Sequence, residues 1–223
     1  MNVSAAFFLS IEFQEMGYLV ERIYKSAYGD ADGTSVIGGT AHTIKVPIVR
    51  FNEFLRDSQQ ISKGVLVGVG NWQAILEANK VAFTQDFVSR TRFVNAYPTT
   101  LTPAQFVDAL FVKISIVPDA AERTSIINEF GGAATSADTA ARARALRRVA
   151  ENEALKQAEK NKAFVLMQYF GYMRRNPNDP QDTDYTGYDY WLQKLIEHNG
   201  NFVSAEMVQA FISSIEYRHR FGN

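Results

Sequence analysis

The sequence has no cysteine, no long apolar run and no excess of charge of one sign. The lack of cysteine excludes disulfides, thiolate metal sites and cysteine nucleophiles. No apolar run approaches the roughly 20 residues that a membrane-spanning helix needs. The 23 basic and 24 acidic side chains give a net charge of −1, so charge does not suggest a nucleic acid or an anionic membrane as partner.

The apolar stretch AAFFLSI at residues 5–11 lacks both the cationic flank and the small-residue cleavage site that are typical of a signal peptide. The composition, with 46% hydrophobic and 21% charged residues, is that of an ordered globular protein with one large or two modest cores.

The last quarter of the chain has the clearest pattern. Residues 163–173 are apolar on nearly all helical faces and predict a buried helix, which Arg174, Arg175 and the following Asn-Pro pair end. A second helix is predicted after an acidic loop, with Thr186 and Asp189 in the positions of a capping box. Its apolar stripe has i, i+3, i+4, i+7 and i+8 spacing and comprises Tyr188, Trp191, Leu192, Leu195 and Ile196.

The pair Asn199 and Gly200 predicts the end of that second helix, because both residues tolerate a left-handed cap. Ser204 is the predicted N-cap of a third helix, whose stripe includes Val208 and Phe211. Three helices with inward stripes predict a small bundle.

Upstream, the pattern predicts an all-α chain of tandem helical units. A helix from Tyr18 is interrupted by the glycine-rich stretch 29–40, and weak alternation in 42–49 and 65–69 marks an insert in which a small β-ribbon could form. We expect one helix over 71–97 and a capping box at Thr102 and Gln105.

The proline-free stretch 136–173 predicts one long helix or two nearly collinear helices, and its basic part, 142–162, a solvated face. The predicted organisation is a tail at 1–17 and units at 18–97, 102–160 and 163–223, forming one or two compact domains. The tail segment AFFLSIEF matches AFISSIEY at 210–217 in five of eight places, so we expect the first unit to be truncated.

The chain resembles a known bacterial family in the segments YFGYMRRNPNDP, YTGYDYWLQKL, NGNFVSAEMVQAFISSIEYRHRF, TLTPAQFVDALF and NEFGGAATSADTAARARALRRVAENEAL. These are similar to the bacterial domain of unknown function 4214, which in turn resembles the repeat of phycobilisome linker polypeptides. The unit at 102–160 departs from the pattern by lacking the Trp and the Arg-Arg pair, and the unit at 18–97 has the glycine-rich insert in place of the acidic loop.

The resemblance implies an all-helical, non-catalytic interaction or assembly module in a larger secreted or cell-surface bacterial protein. It implies a protein partner or neighbouring domains of the same chain, and brings no catalytic residues and no cofactor. The oligomeric state stays open.

Asp182, Asp184 and Thr186 form the first half of a calcium loop, since alternate oxygen side chains followed by glycine can wrap this ion. The second half is absent, because Asp189 and Gln193 stand where an EF-hand has an aliphatic residue and a bidentate Glu. The alternative is a plain capping loop rich in aspartate.

Arg174, Arg175, Tyr185 and Tyr190 are the candidate interaction surface, with helix capping and pairing to Asp179 or Asp182 as the simpler role of the arginines. Two other functions remain open. One is a calcium-stabilised or glycan-binding surface domain, and the other is a hydrolase, which would need a pocket that brings His42 or His198 together with carboxylates.

Overall fold

A computed structural model describes residues 13–222 of the chain, which form a mostly helical fold with one two-stranded ribbon, as predicted. The tail segment compared with residues 210–217 lies almost wholly outside the described residues. The elements are α1 (Tyr18–Tyr28), β1 (Asp30–Ser35), β2 (His42–Pro47), α2 (Phe51–Ser62), α3 (Trp72–Ser89), α4 (Thr91–Ala96), α5 (Pro103–Ile114), α6 (Ala120–Ile127), α7 (Thr139–Ala150), α8 (Glu153–Gln168), α9 (Thr186–Glu197), α10 (Met207–Ser213) and α11 (Ile215–Phe221).

Helix α1 lies at the centre of the fold and packs against α2, α5, α7 and α8. Every residue from Leu19 to Ala27 is buried, because neighbours cover α1 on all sides. One continuous core contains Leu19 from the first predicted unit, Phe106 from the second and Phe170 from the third. The three units therefore share a single hydrophobic interior over the described residues.

The two basic residues of α1, Arg22 and Lys25, bind partners inside the protein. Lys25 Nζ lies 2.6 Å from the Asp30 carboxylate and 3.7 Å from Glu159, while Arg22 Nε donates to the carbonyl of Ala150 at 2.8 Å. Burial raises the pKa of Glu21 well above its ordinary value, and the nearby negative charge of Glu159 raises it further. These contacts join α1 to the ribbon, α7 and α8.

The ribbon pairs β1 with β2 in antiparallel register from Asp30 opposite Pro47 to Ser35 opposite His42. The expected strand at 42–49 is therefore present, but its partner is the glycine-rich segment and not 65–69. Gly64 and Gly68 have φ values of 71° and 81°, which belong to turns and not to strands. Leu66 and Val69 lie exposed in this turn between α2 and α3.

Two expected long helices are interrupted. Arg90 is extended, with ψ of 141°, and separates α3 from α4 within the helix expected over 71–97. The stretch 136–173 contains two helices, α7 and α8, and the Asn152 side chain caps α8 by accepting a bond from the Leu155 amide. The capping box of Thr102 and Gln105 is confirmed, with bonds of 2.9 and 3.2 Å.

The solvated face expected over 142–162 is only partly correct. The ion pairs Arg147–Glu151, Glu153–Lys156 and Glu159–Lys162 are present. Arg142, however, is buried, donates to the Tyr97 carbonyl and stacks over Phe106. The reason is that α7 packs against α1, α3 and α5, so part of its circumference is interior.

A buried carboxylate, Asp57, connects α1, α2 and the end of α3. Asp57 is fully buried and accepts bonds from Tyr24 Oη, both terminal nitrogens of Arg90 and Arg56 Nε, all between 2.8 and 2.9 Å. Burial alone would raise the pKa of Asp57, but hydrogen bonds from Arg90 and Arg56 outweigh burial and lower it. Asp57 thus stabilises the fold as a carboxylate, in full above its unfolded pKa and progressively less as the pH falls through the folded pKa.

We predict that Asp57→Ala destabilises the protein by about 3–5 kcal/mol, because Arg90 loses its buried partner. Asp86→Ala is the matched control, since Asp86 also binds Arg90 but is about half exposed, and it should cost less than about 1 kcal/mol. Urea unfolding at pH 7 measures both. Equal losses for the two variants would contradict the structural role given to Asp57.

Candidate interaction groove

The C-terminal unit packs the end of α8 against α9, α10 and α11. Tyr188 and Leu195 of the predicted α9 stripe are buried, Trp191 and Leu192 are half-buried, and Ile196 is exposed. Residues 163–173 are largely buried as expected, and the Tyr169 ring meets Phe211 of α10 edge to face at 5.1 Å. The predicted three-helix arrangement is therefore present, although its last helix is divided at Ser214.

The turn between α9 and α10 follows the prediction at its start and departs from it at its end. Asn199 and Gly200 have positive φ, and the Gly200 amide donates to the Leu195 carbonyl at 2.8 Å. Ser204 is not the N-cap, because its amide and that of Val203 are bound by the Asn201 side chain. Helix α10 begins three residues later, after Glu206 with φ of 53°.

Arg175 organises the acidic loop from inside. It is 8% exposed, and its guanidinium donates to Glu216 and Asp182 at 2.7 Å and to the carbonyls of three loop residues, Asn176, Pro177 and Asp179. Burial alone would lower the pKa of Arg175, but its hydrogen bonds to the carboxylates of Glu216 and Asp182 raise it, so Arg175 stays charged. The predicted pairing with Asp182 is confirmed, and Arg175 is part of the interior.

Of the other three predicted interaction residues, Tyr185 is buried, whereas Arg174 and Tyr190 are exposed. Tyr185 is buried, accepts a bond from Arg50 at 3.0 Å and lies against Gly33 of the ribbon, where an added Cβ would come within 2.6 Å of the Tyr185 ring. Arg174 ends the π-helical turn after α8 with φ of 54° and lies exposed over the Phe51 ring. Arg174 and Tyr190 are thus the exposed members of the predicted surface.

The predicted calcium ligands face separate partners. Asp182 accepts a bond from Arg175, Asp184 accepts one from the Thr186 amide at 2.9 Å, and Thr186 Oγ1 accepts one from the Val36 amide at 3.0 Å. Within residues 13–222, no group of three or more His, Cys, Asp or Glu side chains is placed to hold a metal ion. The oxygens of the acidic loop serve hydrogen bonds within the chain.

Thr186 and Asp189, at the start of α9, do not form the expected capping box. Their side chains bind the ribbon instead. Asp189 is buried and accepts a 2.6 Å bond from Ser35 Oγ, while Thr186 binds Val36. His42 Nε2 lies 3.7 Å from the same Asp189 carboxylate. In a hydrolytic triad the histidine stands between serine and carboxylate. Here the carboxylate stands between the other two, and Ser35 is fully buried, so the three residues attach the insert to α9.

A groove runs between α9 and the α10 segment. One wall of the groove contains Tyr190 and Lys194 of α9 and His198, which directly follows this helix, at spacings of four residues. Glu206 and Gln209 line the opposite wall. Tyr190 is 46% exposed, and its ring meets Trp191 edge to face at 5.1 Å. The cavity measures about 380 Å³ and adjoins a second cavity of about 260 Å³ that shares Trp191 and is also lined by Arg175.

Tyr190 is the predicted interaction residue that lies in the groove, whereas Lys194, His198, Glu206 and Gln209 were not predicted to line it. The i, i+4, i+8 spacing of Tyr190, Lys194 and His198 is a signal that the sequence carries. Glu206 and Gln209 could not be assigned to the groove, because the start of α10 was predicted incorrectly. Comparisons with protein-family models, curated proteins and solved structures found no match to this chain.

We predict that millimolar calcium changes the melting temperature by less than about 1 °C relative to chelator, because a ligand stabilises only when it binds the folded state. A melt followed by circular dichroism tests this. A rise of several degrees that Asp184→Asn abolishes would contradict the structural role given to the loop oxygens and restore the calcium loop.

We also predict that Arg175→Met destabilises the protein by about 3–5 kcal/mol, because Glu216 and the loop carbonyls lose a buried charged donor. Arg174→Met removes the same charge from the neighbouring, exposed position and should cost less than about 1 kcal/mol. Chemical unfolding of the two variants side by side measures the difference. If the two losses are similar, Arg175 does not organise the loop.

Proposed function

We propose that the chain is a non-catalytic interaction module that binds a polypeptide segment in the groove between α9 and α10. The observation that supports this most directly is the exposed Tyr190 ring beside Trp191, surrounded by polar side chains of both walls. Tyrosine and tryptophan provide large, rigid contact area at protein-binding surfaces, and adaptable polar groups supply hydrogen bonds.

The composition of the groove favours a protein over a small apolar molecule. Ser204, Glu206, Gln209 and Ser213 provide donors and acceptors along one wall, while Lys194 and His198 provide cationic or donor groups on the other. Apolar side chains are also exposed elsewhere on the same unit, at Val203 and Ile215. Exposed apolar side chains near a polar groove are typical of surfaces that contact other proteins.

The setting of the module is part of the proposal. The sequence resemblance to bacterial domain of unknown function 4214 and to phycobilisome linker repeats favours an assembly role in a larger secreted or cell-surface bacterial protein. The partner is then another protein or a neighbouring domain of the same chain. None of the described helices is long and apolar enough to cross a membrane.

A glycan is the second candidate ligand. Aromatic rings beside hydroxyl, amide and carboxylate groups also suit a sugar, whose faces are apolar and whose edges carry hydroxyls. Tyr190 and Trp191 would supply the aromatic contact, and Glu206 and Gln209 the hydrogen bonds. The same groove residues would be used, so one set of variants tests both ligands.

A hydrolase receives less support from the described residues. His42 and Asp189 are close together, but Ser35, at the end of β1, donates directly to Asp189 and is fully buried. His198, the other histidine considered, lines the interaction groove. The proposal therefore assigns His198 to binding and Ser35, His42 and Asp189 to attachment of the ribbon.

We predict that Tyr190→Ser weakens binding of peptides selected from a random displayed library by roughly 30-fold, the usual loss for an aromatic hot-spot residue. Ile196→Ser is the matched control, because it removes an exposed apolar side chain from the same helix outside the groove. Fluorescence anisotropy of the labelled peptide measures both affinities, and the Ile196 variant should stay within about twofold of the parent.

The location of the ligand can be determined independently by NMR, from the indole N–H resonances of the two tryptophans. The chain has two tryptophans, so Trp191 should shift on binding while Trp72 in α3 serves as the internal reference. If peptide affinity is unchanged by Tyr190→Ser, or if only the Trp72 resonance shifts, the groove is not the binding site. Glycans that bind an array in a Tyr190-dependent manner would favour the second candidate.

A further inference from the structure

A separate cavity, distinct from both cavities of the C-terminal unit, lies where α1 meets the end of α7 and the start of α8. It measures about 170 Å³ and is lined by Tyr18, Arg22, Lys80, Lys156 and the carboxylates of Glu15 and Glu151. One liquid water occupies about 30 Å³, so the cavity has room for several waters or one compact polyatomic ion.

Arg22 is the unusual residue of this cavity. It is 4% exposed, its Nε donates to the Ala150 carbonyl at 2.8 Å, and its guanidinium stacks over the Tyr18 ring at 3.9 Å. Its Nη1 is buried and has no hydrogen-bond partner in the described structure. Among the described residues, Arg22 forms no ion pair with a carboxylate. A buried charge without an opposite charge beside it is unfavourable, so the position favours an anion close to Arg22.

The charge around Arg22 favours an anion. Lys80 and Lys156 bring the lining cations to three, against two carboxylates. Both carboxylates are already paired, Glu15 with Lys80 at 2.5 Å and Glu151 with Arg147 at 3.1 Å, so Arg22 and Lys156 are the lining cations that no lining carboxylate offsets. Lys156 forms an ion pair with Glu153. This ion pair is weak, because the Glu153 side chain is 81% exposed.

We infer that this cavity binds a small oxyanion, a phosphate group, with the Arg22 guanidinium as the central cation and Lys156 and Lys80 as flanking cations. Guanidinium and ammonium groups make short, charge-assisted hydrogen bonds to phosphate oxygens, and arginine is the side chain best suited to this contact when buried. The inference is independent of the proposed function, because no residue of the cavity belongs to the groove.

The test is titration of the protein with inorganic phosphate by isothermal calorimetry, with chloride at equal ionic strength as reference. Saturable binding of one phosphate is expected. Lys156→Met should weaken it roughly tenfold or more, because a hydrogen bond between charged groups is lost. Lys160→Met is the matched control, since Lys160 is an exposed lysine of the same helix outside the cavity.

Arg22→Lys keeps the charge but changes the donor geometry, and it too should weaken phosphate binding roughly tenfold. If that variant unfolds, Lys156→Met and Lys80→Met decide the question without it. Glycerol phosphate in a parallel titration separates a free phosphate site from one that admits a phosphate ester. No saturable heat with either phosphate, or equal weakening by Lys160→Met, overturns the proposal.

Discussion

The fold depends on the need to pair charged side chains in the middle of the protein. Helix α1 is covered on all sides, yet it carries the basic residues Arg22 and Lys25. An ionised group in an apolar interior is strongly unfavourable unless a partner is present. The partners come from the ribbon, the end of α7 and the middle of α8, and they fix where these elements lie. The packing of the first unit against the rest is therefore specified by charge as well as by apolar burial.

The glycine-rich insert joins the first unit to the last. The Tyr185 amide donates to the Thr34 carbonyl at 2.8 Å, Ser35 binds Asp189, and Gly33 leaves room for the Tyr185 ring. Together with Arg175, these contacts hold the acidic loop from both sides. The loop has the composition of an ion-binding segment, but its oxygens are used by neighbours within the chain. The exposed chemistry of the unit is consequently found on α9 and α10.

The sequence was most informative where local physics decides the structure. The capping box at Thr102, the Asn199–Gly200 helix end and the stripe of α9 depend on residues a few positions apart, and each was predicted. The strand partner of 42–47, the break at Arg90 and the burial of Arg142 and Tyr185 depend on contacts between distant segments. Apolar periodicity contains no information about such contacts. The groove was only partly predictable for the same reason, since one wall follows the turn at Glu206.

The attachment of the ribbon to α9 also has a consequence for how the chain folds. Ser35 and Asp189 are 154 positions apart, so this contact closes most of the described chain into one loop. Closing a long loop costs entropy before the contact returns any stabilisation, and folds with many distant contacts form slowly. During synthesis the ribbon can meet α1 early, but its bond to Asp189 cannot form until α9 has left the ribosome. The attachment of the insert to the C-terminal unit therefore becomes available only late in synthesis.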